Sequence, residues 1–256
     1  MSNVQRFWIR RNITSRIWRI CNGNCVVGGN GGIGLAMVQE AVARFPDTQI
    51  QATYRRTQPD WHHQRVTWHQ LDASVENEVE ALSKTLNDVD WVINCVGMLH
   101  TQKKGPEKSL NALDGDFFQQ TMAVNTLPTL LLAKHFTPIL KRSIAPKFAT
   151  ISAKVGSISD NQLGGWYSYR VSKAALNMFL KTMSIEWQRM VKHGVVLALH
   201  PGTTDTALSA PFQANVLTGK LFTPQRVAHD LIGLIEKASV QDSGSFLAYD
   251  GKSLPW

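Results

Sequence analysis

Short runs of apolar residues alternate along the chain with longer stretches in which apolar positions recur every three to four residues. Runs of the first kind read as buried strands, and stretches of the second kind as helices with one apolar face. The pattern predicts strands near Ile20–Gly28, Thr48–Tyr54, Arg65–Leu71, Asp90–Val96, Lys147–Ser152, Val195–His200 and Ser245–Tyr249. Helices are expected near Gly32–Arg44, Val75–Leu86, Asp116–Lys141, Tyr169–Val191 and Pro224–Lys237. Such alternation is the mark of βαβ units, so the expected fold class is α/β: a single domain with a doubly wound parallel sheet of about seven strands, flanked by helices. Ligands of such a sheet sit beyond the carboxyl ends of its strands. The first strand is the weakest, because "RICNGNCVVGG" puts Asn22, Gly23 and Asn24 where a buried strand prefers β-branched residues. Residues upstream of Cys25 are expected to pack poorly.

Composition narrows this picture. A chain of 256 residues, 43% hydrophobic, can bury one sizeable core. No apolar run reaches the roughly 18 residues that span a bilayer, so a soluble protein without a membrane span is expected. Cys21, Cys25 and Cys95 form an odd set without CxxC spacing, which favours a reducing, cytoplasmic location and small buried thiols. The eight histidines show no HxxxH or HExxH spacing, so no metal is expected. The net charge of +8 is uneven: five arginines precede the first carboxylate, Glu40, and the remainder is close to balanced, at 22 basic against 19 acidic residues. Residues 1–24 therefore read as a basic N-terminal extension, disordered, serving as a targeting arm or a contact for an anionic surface, or arising from a mis-set start; residues 25–256 form the catalytic domain. No recognition motif accompanies the charge, so no nucleic-acid partner is expected.

Candidate chemistry begins at "GGNGGIG", residues 28–34, between the strand "CVV" and the helix "IGLAMVQEAVARF". Five glycines in seven positions need a backbone reason, and a phosphate cradled at a helix start supplies one. Gly28 would make the tight turn, Gly32 admit a pyrophosphate, and Gly34 let helix pack on strand, with Asn30 and Ile33 in the same turn. After the second strand, "QATYRRT" offers Arg55 and Arg56 and no carboxylate. An acid there would bind a ribose 2′-hydroxyl, whereas arginine pairs with a 2′-phosphate, so NADP(H) is preferred over NAD(H). Tyr169 and Lys173 stand at i and i+4, on one helix face, where an ammonium would stabilise phenolate and lower the tyrosine toward neutrality. Asn125 lies beside Pro128, which cannot donate to the carbonyl of Val124, so a kink is expected there.

These motifs, in this order, resemble those of the short-chain dehydrogenase/reductase family, with its Rossmann-type fold, over residues 25–256. "YRVSK" supplies its YxxxK pair, "NCVG" (94–97) is similar to its NAG element, "HPGTTDT" (200–206) to its PG-x-x-x-T element, and "LDAS" places Asp72 where the family contacts adenine. "GGWYSYRVSKAALN" and "YDGKSLPW" look most like the C-factor and Sniffer-type carbonyl reductases. The resemblance implies that Asn94 serves the adenosine side, that Thr206 contacts the nicotinamide end or its phosphates, that Gly97, Pro201 and Gly202 bind the cofactor, and that Tyr169 and Lys173 touch the cofactor as well as the substrate. It also implies a proton relay through Asn125, and pairing into homodimers or homotetramers through the long helices. The pattern fails at the family's S-x-x-G serine: "ISAKVGS" puts Ala153 there, so Ser152, Ser157 or no serine fills the substrate-orienting role, with Ser152 favoured.

The chain from Thr203 to Thr223 reads as a lid, with Trp166, His100 and Phe212 as pocket-lining or simple packing residues. The expected activity is hydride transfer between NADP(H) and a small carbonyl or alcohol, with Tyr169 as acid or base, Lys173 and Asn125 in support and Ser152 orienting the substrate. The alternative is a nucleotide-bound signalling or regulatory protein of the C-factor type with little turnover.

Overall fold

A computed structural model describes residues 23–256 of the protein. One sheet of seven strands runs in the order β3 (Val66–Gln70), β2 (Gln49–Tyr54), β1 (Gly23–Val27), β4 (Trp91–Asn94), β5 (Lys147–Ile151), β6 (Val195–His200) and β9 (Ser245–Ala248). Every pairing in it is parallel. A separate two-stranded ribbon joins β7 (Thr203–Thr204) to β8 (Leu221–Phe222). The order reverses between β1 and β4, which opens a crevice beyond their carboxyl ends.

Helices cover both faces. On one side α1 (Gly32–Arg44) and α6 (Pro224–Lys237) bury Met37, Val38, Leu231 and Ile235 against Val26, Ile93 and Leu197. On the other, α2 (Glu76–Thr85), α4 (Leu127–Leu140) and α5 (Tyr167–Met190) bury Val79, Phe136, Leu176 and Trp187 against Val27, Val92 and Phe148. The helix ends follow their sequence: Asp114 caps α3 (Gly115–Asn125) by accepting from Phe117 N at 2.7 Å, and Thr223 caps α6 ahead of Pro224. Among the described residues no helix is long and apolar enough to cross a membrane.

Two expectations change. The single helix foreseen over 116–141 is two helices, α3 and α4, meeting at Thr126. Pro128, in the first turn of α4, has no N–H to continue α3, so the chain breaks rather than bends. Upstream of Cys25, where poor packing was expected, Gly23 and Asn24 are buried in β1. The foreseen extension, apart from those two residues, lies outside the described part of the chain.

Asn24 is 0% exposed, and neither atom of its side-chain amide has a hydrogen-bond partner among the described residues. Burying an amide unpaired costs about 1–3 kcal/mol, and an apolar side chain of similar size avoids the cost. Asn24→Val is therefore expected to stabilise the protein by about 1–3 kcal/mol, read as a rise in thermal midpoint of several degrees.

Candidate active site

The crevice is a cleft of about 740 Å³ lined by Gly28, Asn30, Gly31, Thr53, Arg55, Arg56, Asp72, Ser74, Cys95, Val96, Gly97, Met98 and His100, among others. Its floor is the glycine turn. Gly28 has φ +75°, a left-handed conformation that side chains resist, and its N–H donates to Thr53 Oγ1 at 3.0 Å. A methyl group at Gly34 would lie 2.1 Å from the Gly28 carbonyl oxygen, and one at Gly32 would lie 2.6 Å from Thr206 Cγ2. The start of α1 thus packs at main-chain distance on the turn and on Thr206. No side chain caps α1 at Gly31, and no acid stands in its first turn, so its leading N–H groups and positive dipole end are left for an anion. These features fit a dinucleotide pyrophosphate. Ile33 is half-buried beneath the turn, and Asn30, exposed, donates to Thr57 O at 3.3 Å.

At the far end of the cleft, Arg55 and Arg56 are exposed beside Asp72. Asp72 accepts from Ser74 N and Oγ, at 3.0 and 2.5 Å, and lies 4.0 Å from Arg55 Nη1. Its pKa falls below the usual carboxylate range: burial alone would raise it, but the Ser74 hydrogen bonds and the two arginines outweigh that. Asn94 stands at the end of β4. It is 0% exposed and spends its amide on Thr129 Oγ1 (2.9 Å) and Val96 N (3.0 Å), so it shapes the loop leading to Gly97 instead of reaching the cleft.

Helix α5 carries the other half of the site. Tyr169 and Lys173 are both buried, with Lys173 Nζ 5.8 Å from the Tyr169 ring centroid and donating to Ile151 O at 3.0 Å. A methyl group at Gly97 would stand 3.6 Å from Lys173 Nζ and 3.5 Å from Asn125 Oδ1, so the cleft wall meets both. Asn125, at the end of α3, accepts from Met98 N at 2.6 Å and donates to Met98 O and Ser172 Oγ, both at 2.9 Å. The helix break therefore frees a residue that joins the loop after β4 to α5.

Protonation differs from the sequence expectation. Burial pushes Tyr169 above the ordinary tyrosine value instead of toward neutrality. Burial also lowers Lys173 to about 8.

Both candidate serines are buried and hydrogen-bonded within the chain. Ser152 is 2% exposed and pairs with Asn177 Oδ1 at 2.6 Å, on the inner side of the strand end, as regular strand alternation requires. Ser157 is also buried; it donates to the carbonyl of Trp256 and accepts from Asp160 N, both at 3.2 Å. Trp256 itself stacks on Phe246 at 5.5 Å, and its carbonyl also accepts from Ser159.

Over this end lies the segment between β7 and β8. Pro201 and Gly202 (φ +71°) turn the chain against Phe222 and Tyr249, and Thr206 then reaches Gly32. His100, Phe212 and Trp166 follow in a chain of ring contacts at 5.7 and 5.3 Å that ends on Tyr169 at 6.2 Å.

Sequence reasoning missed Glu107, a carboxylate 4% exposed that accepts from Ser168 N (3.1 Å) and Ser168 Oγ at the head of α5. It sits in an aperiodic loop 61 residues from its partner, so spacing carries no signal for it.

A family model described as short chain dehydrogenase matches residues 24–216. The chain is 32% identical over 191 residues to a 1-hydroxy-2-glutathionyl-2-methyl-3-butene dehydrogenase of Rhodococcus sp. (strain AD45), covering 73% of this chain and 78% of that one. It is 30% identical over 168 residues to C-signal of Myxococcus xanthus, covering 66% and 93%. The fold is similar to NADPH-bound carbonyl reductase from chicken fatty liver, at TM-score 0.80 and 24% identity over 92% of this chain and 94% of that one. Glycine cradle, buried tyrosine–lysine pair and parallel sheet agree with the family match, and the chain belongs to the short-chain dehydrogenase family of oxidoreductases.

Proposed function

We propose that the protein is an NADP(H)-dependent oxidoreductase working on a carbonyl substrate, with Tyr169 as the proton donor. The observation that carries this is the buried Tyr169–Lys173 pair of α5, whose Lys173 Nζ lies with Asn125 Oδ1 against Gly97 in the wall of the glycine-floored cleft. A nicotinamide bound there supplies hydride to the carbonyl carbon. The chain supplies the rest: the α1 N-terminus and the glycine turn hold the pyrophosphate, Thr206 closes on it, and Arg55 pairs with a 2′-phosphate. Tyr169, kept protonated by burial, gives its proton to the substrate oxygen as charge develops there. The Lys173 ammonium stabilises the resulting phenolate, and Asn125, fixed between Met98 and Ser172, sets the loop that faces them. With Ser152 and Ser157 both engaged elsewhere, Tyr169 is the substrate's hydrogen-bond donor.

A second reading, a nucleotide-bound signalling protein with little turnover, is favoured by the likeness to C-signal and by Ala153 at the family's serine position. Wild type should oxidise NADPH with small aldehydes or quinones, and Tyr169→Phe should lower kcat by about 10²–10⁴ with NADPH affinity retained. Ser152→Ala should change kcat less than about threefold, far from the 10²–10³ of a lost oxyanion donor. Cofactor binding without turnover on any substrate supports the second reading.

The pH dependence follows from Lys173. Below about 8 the ammonium is present; as pH rises through that value it is lost, and with it the support for phenolate. Reductive kcat/KM for NADPH, which reports free-enzyme ionisations, should therefore fall above about pH 8, and Lys173→Met should remove the step along with most of the activity. Arg55→Ala should weaken NADPH about 10–100-fold, the worth of a charge-assisted hydrogen bond, and leave NADH affinity within a few-fold. Equal losses for both nucleotides would assign Arg55 a different role.

A further inference from the structure

We propose that Trp166, Phe212 and His100 form an aromatic enclosure that selects flat aryl carbonyl compounds, with Trp166 as the specificity-determining residue. The inference rests on the carbonyl-reducing reading above and names its substrate class.

The three rings are not core filler. Each is partly exposed, and neither hydrophobic core includes Trp166 or Phe212 or packs against them. Their ring contacts are with one another and with Tyr169, at interplanar angles of 61°, 61° and 71°. The two His100 nitrogens lie 3.3 Å from the main-chain carbonyls of Thr101 and Ala207, so the rim of the cleft and the lid meet at that ring. Of the three rings His100 lines the 740 Å³ cleft, and through its contact with Phe212 it joins the ring chain to that cleft.

Trp166 occupies its place against a backbone cost. Its φ of 54° and ψ of 40° are left-handed, a conformation rare for a bulky residue and concentrated at functional sites. Gly164 and Gly165, at φ +64° and +63°, lead into it. Glu107 then fixes it from both ends, its carbonyl accepting from Trp166 N and its carboxylate from Ser168. The loop is thus held in a strained form whose effect is to aim one indole at Tyr169.

Edge-to-face rings gain from a further flat ring beyond the area it covers, whereas a saturated ring gains only the area. That difference corresponds to about tenfold in preference. Benzaldehyde and cyclohexanecarbaldehyde have the same carbon count and differ in flatness, so their kcat/KM ratio reads the preference. Dividing the ratio of a variant by that of the wild type cancels intrinsic reactivity.

With the full chain and NADPH, Trp166→Leu should lower this ratio about tenfold, mainly through the KM for benzaldehyde, and Trp166→Phe should restore most of it. An unchanged ratio in folded Trp166→Leu and Phe212→Leu overturns the proposal. If the wild type reduces neither aldehyde, the carbonyl-reducing reading fails and the enclosure is tested by calorimetry in the NADPH complex. There, benzamide should bind more tightly than cyclohexanecarboxamide, and Trp166→Leu should erase the difference; equal wild-type affinities overturn the proposal.

Discussion

The site depends on the contact between the Gly28 carbonyl and the first turn of α1. With only hydrogen at Gly34, the helix starts directly on the turn that ends β1. That approach aligns unpaired N–H groups with the mouth of the crevice, at the point where strand order reverses. Thr206 can then lie on Gly32, which joins the segment between β7 and β8 to the same turn. The glycine turn, the segment between β7 and β8, and the sheet are parts of one close-packed junction.

At the other end of the cleft, burial governs. The same enclosure raises Tyr169 and lowers Lys173, bringing a weak acid and a weak base together away from water. Both shifts act toward the neutral forms, the phenol and the free amine. The amide of Asn125 is used on both sides, toward Met98 and toward Ser172, so the loop after β4 and helix α5 share one spacer.

Much of this was legible in the sequence. The seven strands follow from apolar runs that have no other use, and the glycine turn follows from spacing between a strand and a helix. Tyr169 and Lys173 were legible because a helix repeats every 3.6 residues and puts them on one face. What escaped depends on burial and on distance along the chain. The direction of the tyrosine shift follows from burial, which helical spacing does not report, and the occupation of Ser152 needs Asn177 to be opposite it, 25 residues away. Asn94 matched a motif, but the motif does not say that Thr129 takes its amide. Glu107 could not be read because loops carry no period. Pro128 did announce a defect in the middle helix, though not whether the chain would bend or break.

The stacking of Trp256 on Phe246 ties the last residue to the outermost strand, while its carbonyl holds Ser157 and Ser159. The loop running from β5 toward α5 therefore cannot open without also peeling this C-terminal strap from the sheet edge. Amide exchange in that loop is thereby coupled to loosening of β9.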